Sequence, residues 1–306
     1  MNAVAIAARA SELVCGFSRP SGGWLEARGR VTGPVDGPET LVLGGVSAGR
    51  AVASGPGETG WWPGVAEAGG ALDPARTRML GLDFVTEADP FPSVEDQAAA
   101  ALALADAAGF GRFRIVGASY GGVIGLAIAA AVPDRIRRLD VLCAAARPSP
   151  LATAWRSIQR EILALGAEAG DPARGVDLAR RLAMTTYRTC EELHARFADP
   201  EPGGRDADGV AAYLAARGAD YAAKTPPEKM AALLQSMDAA DVAIKAIAAP
   251  ARFLAITSDR LVPPRDIRAT AARIREAAVV EIDSLYGHDG FLKETAAVNA
   301  FLGGAS

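Results

Sequence analysis

The 306-residue sequence predicts an α/β fold: a mostly parallel, doubly wound sheet interrupted by a helical insertion. Three observations carry that expectation. Short apolar, β-rich runs alternate with helical patterns through residues 1–146 and again from 246 to 306. Between them, residues 147–245 hold long Ala/Arg/Leu/Glu helical patterns and no strand pattern. The run Phe113–Val132, FRIVGASYGGVIGLAIAAAV, passes from bulky β-formers to small helix formers across one glycine-rich break at Ser119.

Taken in order, strands are expected at 22–31 (GGWLEARGRV), 39–47 (ETLVLGGVS), 77–85 (TRMLGLDFV), 113–119 (FRIVGAS), 137–146 (RRLDVLCAAA), 251–258 (ARFLAITS) and 278–284 (AVVEIDS). A helix is expected from Ser93, with Asp96 three places on forming most of a capping box. The halves 1–146 and 246–306 are assigned to one core, and 147–245 to a helical lid across the carboxyl edge of its sheet. Within the lid, ADPEPGGRDADG reads as a loop. No repeat of fixed period is present.

Composition narrows the function classes. Half the residues are hydrophobic, 22% are charged and the formal net charge is −4, without a Lys/Arg cluster, so nucleic acid and anionic membranes are not expected partners. The longest apolar runs fall short of the roughly 20 residues of a membrane span. The N-terminal MNAVAIAARASELVC lacks a basic leader and is interrupted by Arg9, so no signal peptide is read. Cys15, Cys143 and Cys190 are odd in number and far apart, which speaks against a disulfide framework or a metal site and for a reduced cytoplasm.

The break at Ser119 carries the chemistry. A parallel strand that turns abruptly into a helix leaves the turn residue facing out over the sheet edge. Residues two before and two after it must then have almost no side chain. Gly117 and Gly121 meet that demand, so GASYG is read as a nucleophile elbow of an α/β-hydrolase fold, with Ser119 as nucleophile. A serine hydroxyl needs a base, and the chain has two histidines. His194, in CEELHARF, reads as a solvated helix residue. His288, in SLYGHDGF, follows the last expected strand, where this fold places its base. The third member is expected at Asp259, at the carboxyl end of ARFLAITS; Asp283 and Asp289 are poorly placed to reach the far nitrogen of the His288 ring. The oxyanion hole is expected from the N–H of Tyr120 and one from LVLGGVSAGR, at Val46 with Gly45 as the alternative.

LVLGGVSAGR, GWWPGVAEAGGALDPARTRMLGLDF, GASYGG, ARPSPLATAWRSIQREI, LAMTTYRTCEELHARF, SDRLVPP and SLYGHDGFLKE together resemble the α/β-hydrolase-fold homoserine O-acyltransferases of methionine biosynthesis, from about Gly44 to Glu294. GASYGG, AWRSIQRE and DRLVP are most similar to the branch that uses succinyl-CoA. The resemblance implies a ping-pong reaction with succinyl-CoA, or acetyl-CoA next, as acyl donor, no bound cofactor, and an acyl-serine at Ser119. It implies that Arg188, in Tyr187-Arg188-Thr189, holds the carboxylate of L-homoserine and that Asp289 holds its ammonium group. It also implies a homodimer. Transfer to another hydroxy amino acid such as L-serine, or hydrolysis by a serine esterase, would use the same triad. Arg50 and Arg147 are further candidate cations for a succinyl carboxylate.

Overall fold

The expected strands pair, together with one more, into a single eight-stranded sheet of order β1-β2-β4-β3-β5-β6-β7-β8. They run β1 Ala10–Ser18, β2 Trp24–Thr32, β3 Glu39–Leu43, β4 Arg78–Leu82, β5 Phe113–Ala118, β6 Ile136–Leu142, β7 Ala251–Ile256 and β8 Ala277–Ile282. This is a computed structural model, and it describes residues 10–55, 57–198 and 209–304. Most of the ADPEPGGRDADG loop and the first nine residues, on which the signal-peptide reading rests, lie outside the described residues.

β2 alone runs against its neighbours; every pairing from β4 and β3 through β8 is parallel. The central strands read as continuous apolar runs because both faces are covered: Leu41, Val42 and Leu43 are buried, as are Ile115 and Val116. β1 has no such signal and was not expected. It is an edge strand paired only with β2, its residues are mostly exposed, and Phe17 is the one that is buried. An edge strand held mainly by its backbone ladder needs no regular apolar alternation.

Helix α1, Val94–Ala107, begins with a complete capping box. Ser93 Oγ accepts from the Asp96 N–H at 3.1 Å, and Asp96 Oδ2 accepts from the Ser93 N–H at 3.0 Å. The same buried carboxylate takes Arg19 and Ser21 from the β1–β2 hairpin, so the cap also ties the antiparallel edge to the core.

Between β6 and β7 stand five helices and no strand among the described residues: α3 Pro150–Glu168, α4 Pro172–Tyr187, α5 Cys190–Phe197, α6 Gly209–Ala222 and α7 Pro227–Asp238. Ser149 and Asp171 cap α3 and α4, each followed by proline at the first helical position. α3 and α4 pack backbone to backbone at Gly166 and Gly175. The insertion has its own small apolar cluster around Leu163, Val176 and Met230. No described helix is long and apolar enough to cross a membrane.

Candidate active site

The sharp bend at Ser119 has the geometry its glycines predict. Helix α2, Tyr120–Ala131, starts directly after β5, and Ser119 between them holds φ 54° and ψ −123°, a conformation rare for a residue with a side chain. A Cβ on Gly121 would lie 2.4 Å from the Leu43 carbonyl, and one on Gly117 would lie 2.5 Å from the Gly121 oxygen. The turn is locked from both sides, since the Ser119 N–H donates to Leu142 O and the Gly121 N–H donates to Gly44 O.

The two other predicted members converge on that serine. Asp259 leaves the carboxyl end of β7, and its Oδ1 accepts the N–H groups of Leu261 at 2.8 Å and Val262 at 2.9 Å. That leaves Oδ2 for His288 Nδ1 at 2.7 Å. His288 Nε2 stands 2.8 Å from Ser119 Oγ, across 169 residues of chain. The histidine sits in a tight turn, Gly287–Asp289, after β8. Gly287 adopts φ 59° and leaves no room for a Cβ, which would lie 2.7 Å from the Tyr187 oxygen at the end of α4. The insertion therefore presses directly on the histidine turn.

His288 and Asp259 are both nearly inaccessible to solvent. Burial by itself would lower the imidazole pKa, but the Asp259 carboxylate, by charge and by hydrogen bond, outweighs it, and the net position is above the ordinary value. Asp289 pushes in the same direction and Arg156 in the opposite one. In the tautomer that donates Nδ1–H to Asp259, Nε2 is the free base facing the hydroxyl.

The Tyr120 and Val46 N–H groups have no hydrogen-bond partner among the described residues. Gly45 lies beside Ser119, where a Cβ would stand 3.8 Å from Ser119 Oγ. Both Gly45 and Val46 line the same cavity as Ser119, His288 and Asp289, a space of about 220 Å³ between the sheet edge and the insertion.

The walls supplied by α3, α4, α7 and the β3–β4 connection contain groups to which the sequence alone assigns no role. Arg156 on α3 is buried. Its Nε donates to Asp238 Oδ1 at 2.6 Å, while Nη2 is buried with no partner among the described residues. The indole N–H of Trp61, stacked on Trp62 at 4.8 Å between centroids, is likewise unpaired and lines the cavity. Two unpaired donors on the cavity that Ser119 lines suit an acceptor-rich ligand. Arg156 lies inside the quoted AWRSIQRE motif, but nothing in its local pattern separates it from the other arginines.

The two residues assigned to an amino-acid acceptor are together. Arg188 Nε is 3.0 Å from Asp289 Oδ2, close enough for an ion pair but not aligned as a hydrogen bond, and Arg188 Nη1 reaches Glu192 Oε1 at 3.3 Å. Asp289 lines the Ser119 cavity, whereas Arg188 borders an adjoining one. Arg50 and Arg147 are not free cations. Arg50 is held by Glu12 and Asp83 and does not line the cavity described above; exposed Arg147 is held by Asp241 and lines a smaller cavity that Ser119 and Arg156 also border. His194 is exposed on α5 and does not line the Ser119 cavity.

Residues 62–295 match the α/β-hydrolase fold family. The homoserine O-succinyltransferase of Xanthomonas campestris is 38% identical over 287 residues, spanning 91% of this chain and 78% of that protein. The homoserine O-acetyltransferase of Deinococcus radiodurans is 33% identical, spanning 83% and 78% respectively. Among solved structures, the homoserine O-acetyltransferase of Bacillus anthracis superposes with a TM-score of 0.84 at 15% identity, covering 97% of this chain and 98% of that one.

Proposed function

Since this chain belongs to the homoserine O-acyltransferase family of the α/β-hydrolase fold, we propose that it transfers an acyl group from acyl-CoA to the hydroxyl of L-homoserine, with succinyl as the group carried. The observation that carries this reading is the relay from Asp259 through His288 to Ser119, at 2.7 and 2.8 Å, ending in a cavity walled by the insertion.

In the first half-reaction Ser119 Oγ attacks the thioester carbon while its proton passes to His288 Nε2. The oxyanion is held by the N–H groups of Tyr120 and Val46. The C–S bond breaks, the sulfur takes the proton from His288, and CoA leaves behind an acyl-serine. In the second half the homoserine hydroxyl gives its proton to His288 and attacks the ester. The C–O bond to Ser119 breaks, Ser119 is reprotonated, and the O-acyl amino acid departs. The product supplies methionine biosynthesis in this reading.

Arg188 and Asp289 suit a zwitterion. An amino acid entering between them exchanges one ion pair for two, so neither buried charge is left uncompensated. Its hydroxyl would then stand near His288, the neighbour of Asp289 in the chain.

Arg156 favours succinyl over acetyl. A distal carboxylate gives the unpaired Nη2 a charge-assisted partner, which an acetyl methyl cannot. Arg156→Leu is therefore expected to lower kcat/KM for succinyl-CoA by about 2–5 kcal/mol, roughly 30-fold or more, and to raise the acetyl-to-succinyl ratio. The ratio is read on one protein preparation, so a folding loss common to both donors cancels. An unchanged ratio would remove Arg156 from the acyl site.

The direct test follows free thiol when the protein is mixed with succinyl-CoA or acetyl-CoA, with and without L-homoserine or L-serine. Thiol release sustained only by homoserine, with O-acylhomoserine found by mass, is the expected result. Equal release without any acceptor would make the protein a thioesterase.

A further inference from the structure

We infer that the second cavity, at the mouth of the Ser119 cavity, is a polyphosphate site that takes the phosphorylated adenosine head of coenzyme A. The inference rests on the acyl-CoA reading above and assigns residues to the donor's remote end. The second cavity is about 720 Å³ and shares Val46, Ser47, Ala48, Arg180 and Met184 with the first, so a ligand can occupy both.

Its charge is opposite to that of the chain as a whole. The protein carries a formal −4, yet Arg180, Lys224, Lys229 and Lys293 all line this one space and have no carboxylate within ion-pair distance among the described residues. The lining carboxylates are already engaged, Asp83 by Arg50 and Asp220 by Arg217. A solvated helix face would explain several lysines on one helix. Here the four cations come from α4, the α6–α7 loop, α7 and the Gly290–Lys293 turn after His288, and the fold brings them together.

Arg180 is the most constrained of them. Its guanidinium lies 4.5 Å from the centroid of Tyr221 and 5.4 Å from that of Tyr187, so it is held in place by aromatic rings and not by an acid. It lines both cavities, at the junction between the acyl end and the phosphate end. Unneutralised cations around a concave site raise the local concentration of an anionic ligand and bind phosphate oxygens through charge-assisted hydrogen bonds. Tyr213 and Tyr221 line the same space, each with a guanidinium over its ring, Arg196 and Arg180 respectively. Acetylated and succinylated donors share this head, so the site sets affinity for the carrier and leaves the choice of acyl group to the inner cavity.

The test is calorimetric binding of CoA, adenosine 3′,5′-bisphosphate and pantetheine to the full chain and to Lys224→Glu/Lys293→Glu, two exposed lysines. The expected result is at least a tenfold weaker Kd for CoA and for the bisphosphate in the variant, with pantetheine unchanged and with CoA affinity in the unaltered protein falling as salt rises. Lys224→Gln/Lys293→Gln should fall between the two, which guards against a folding defect of the charge reversal. Unchanged CoA affinity in both variants, or an equal loss for pantetheine, overturns the site. Binding is read without acceptor or turnover. If homoserine-dependent transfer fails while CoA still binds through these lysines, the acceptor reading falls and this site stands. Normal transfer with lysine-independent CoA affinity removes this site alone.

Discussion

Ser119→Ala is expected to abolish the acyl-enzyme and to lower turnover with acyl-CoA and homoserine by on the order of 10⁶-fold, since a nucleophile that acts as a unit with its base loses nearly the whole covalent pathway when it is removed. The fold should survive. Alanine carries the same Cβ as serine, so the strain at φ 54° is unchanged, and the backbone locks to Leu142 and Gly44 involve no side chain. The lost contact is the 2.8 Å one from Oγ to His288, which keeps its bond to Asp259. Intact mass after mixing with succinyl-CoA checks it: the unaltered protein gains one acyl group and the variant none. An adduct that persists in the variant would put the nucleophile elsewhere.

Asp259→Asn is expected to cost about 10⁴-fold in kcat near neutral pH with little change in fold. Asparagine retains an oxygen for the Leu261 and Val262 N–H groups but turns an amide N–H towards His288 Nδ1. The ring must then carry its proton on Nε2, where it cannot accept from Ser119, and the imidazolium formed in the transition state loses its counter-charge. The pH profile supplies a second reading of the same residue. His288 works as a neutral base, so activity falls as pH drops through its pKa. Asp259 holds that pKa above its ordinary value of about 6.5, and the acid limb of kcat/KM should sit correspondingly high. Removing the carboxylate charge lowers the pKa, so the residual activity of the variant should show its acid limb at lower pH. A limb that stays in place would mean that some other group, not His288 coupled to Asp259, governs the profile.

The parts of this protein that were legible in its sequence share one property: each is imposed by local geometry. Gly117 and Gly121 announce the bend because any Cβ there meets backbone within about 2.5 Å. The apolar runs announce β3, β5, β6 and β7 because both faces of those strands are covered. Ser93 and Asp96 announce the start of α1 because a cap is completed within four residues. With two histidines in the chain, the sequence itself narrows the candidate base. β1 escaped because Ser11, Glu12, Gly16 and Ser18 interrupt its apolar residues, whereas β8, the other exposed edge strand, opens on an unbroken apolar run, Ala277–Val280.

The amino-acid sequence by itself determined the fold class and pointed to Ser119, Asp259 and His288, which the fold brings within hydrogen-bonding distance, since a tight strand-to-helix bend and loops after strands are local events with fixed residue demands. Tertiary structure alone decided which of the 32 lysines and arginines face the cavities. Arg156 and Arg180 are inward because α3 and α4 fold back over the sheet edge. Arg50 is paired with Glu12 and Asp83 away from the Ser119 cavity, and Arg188 meets Asp289 across 101 residues of chain. Charge has no period and no reach along the chain that could reveal this, because a guanidinium's partner is fixed by distance in space.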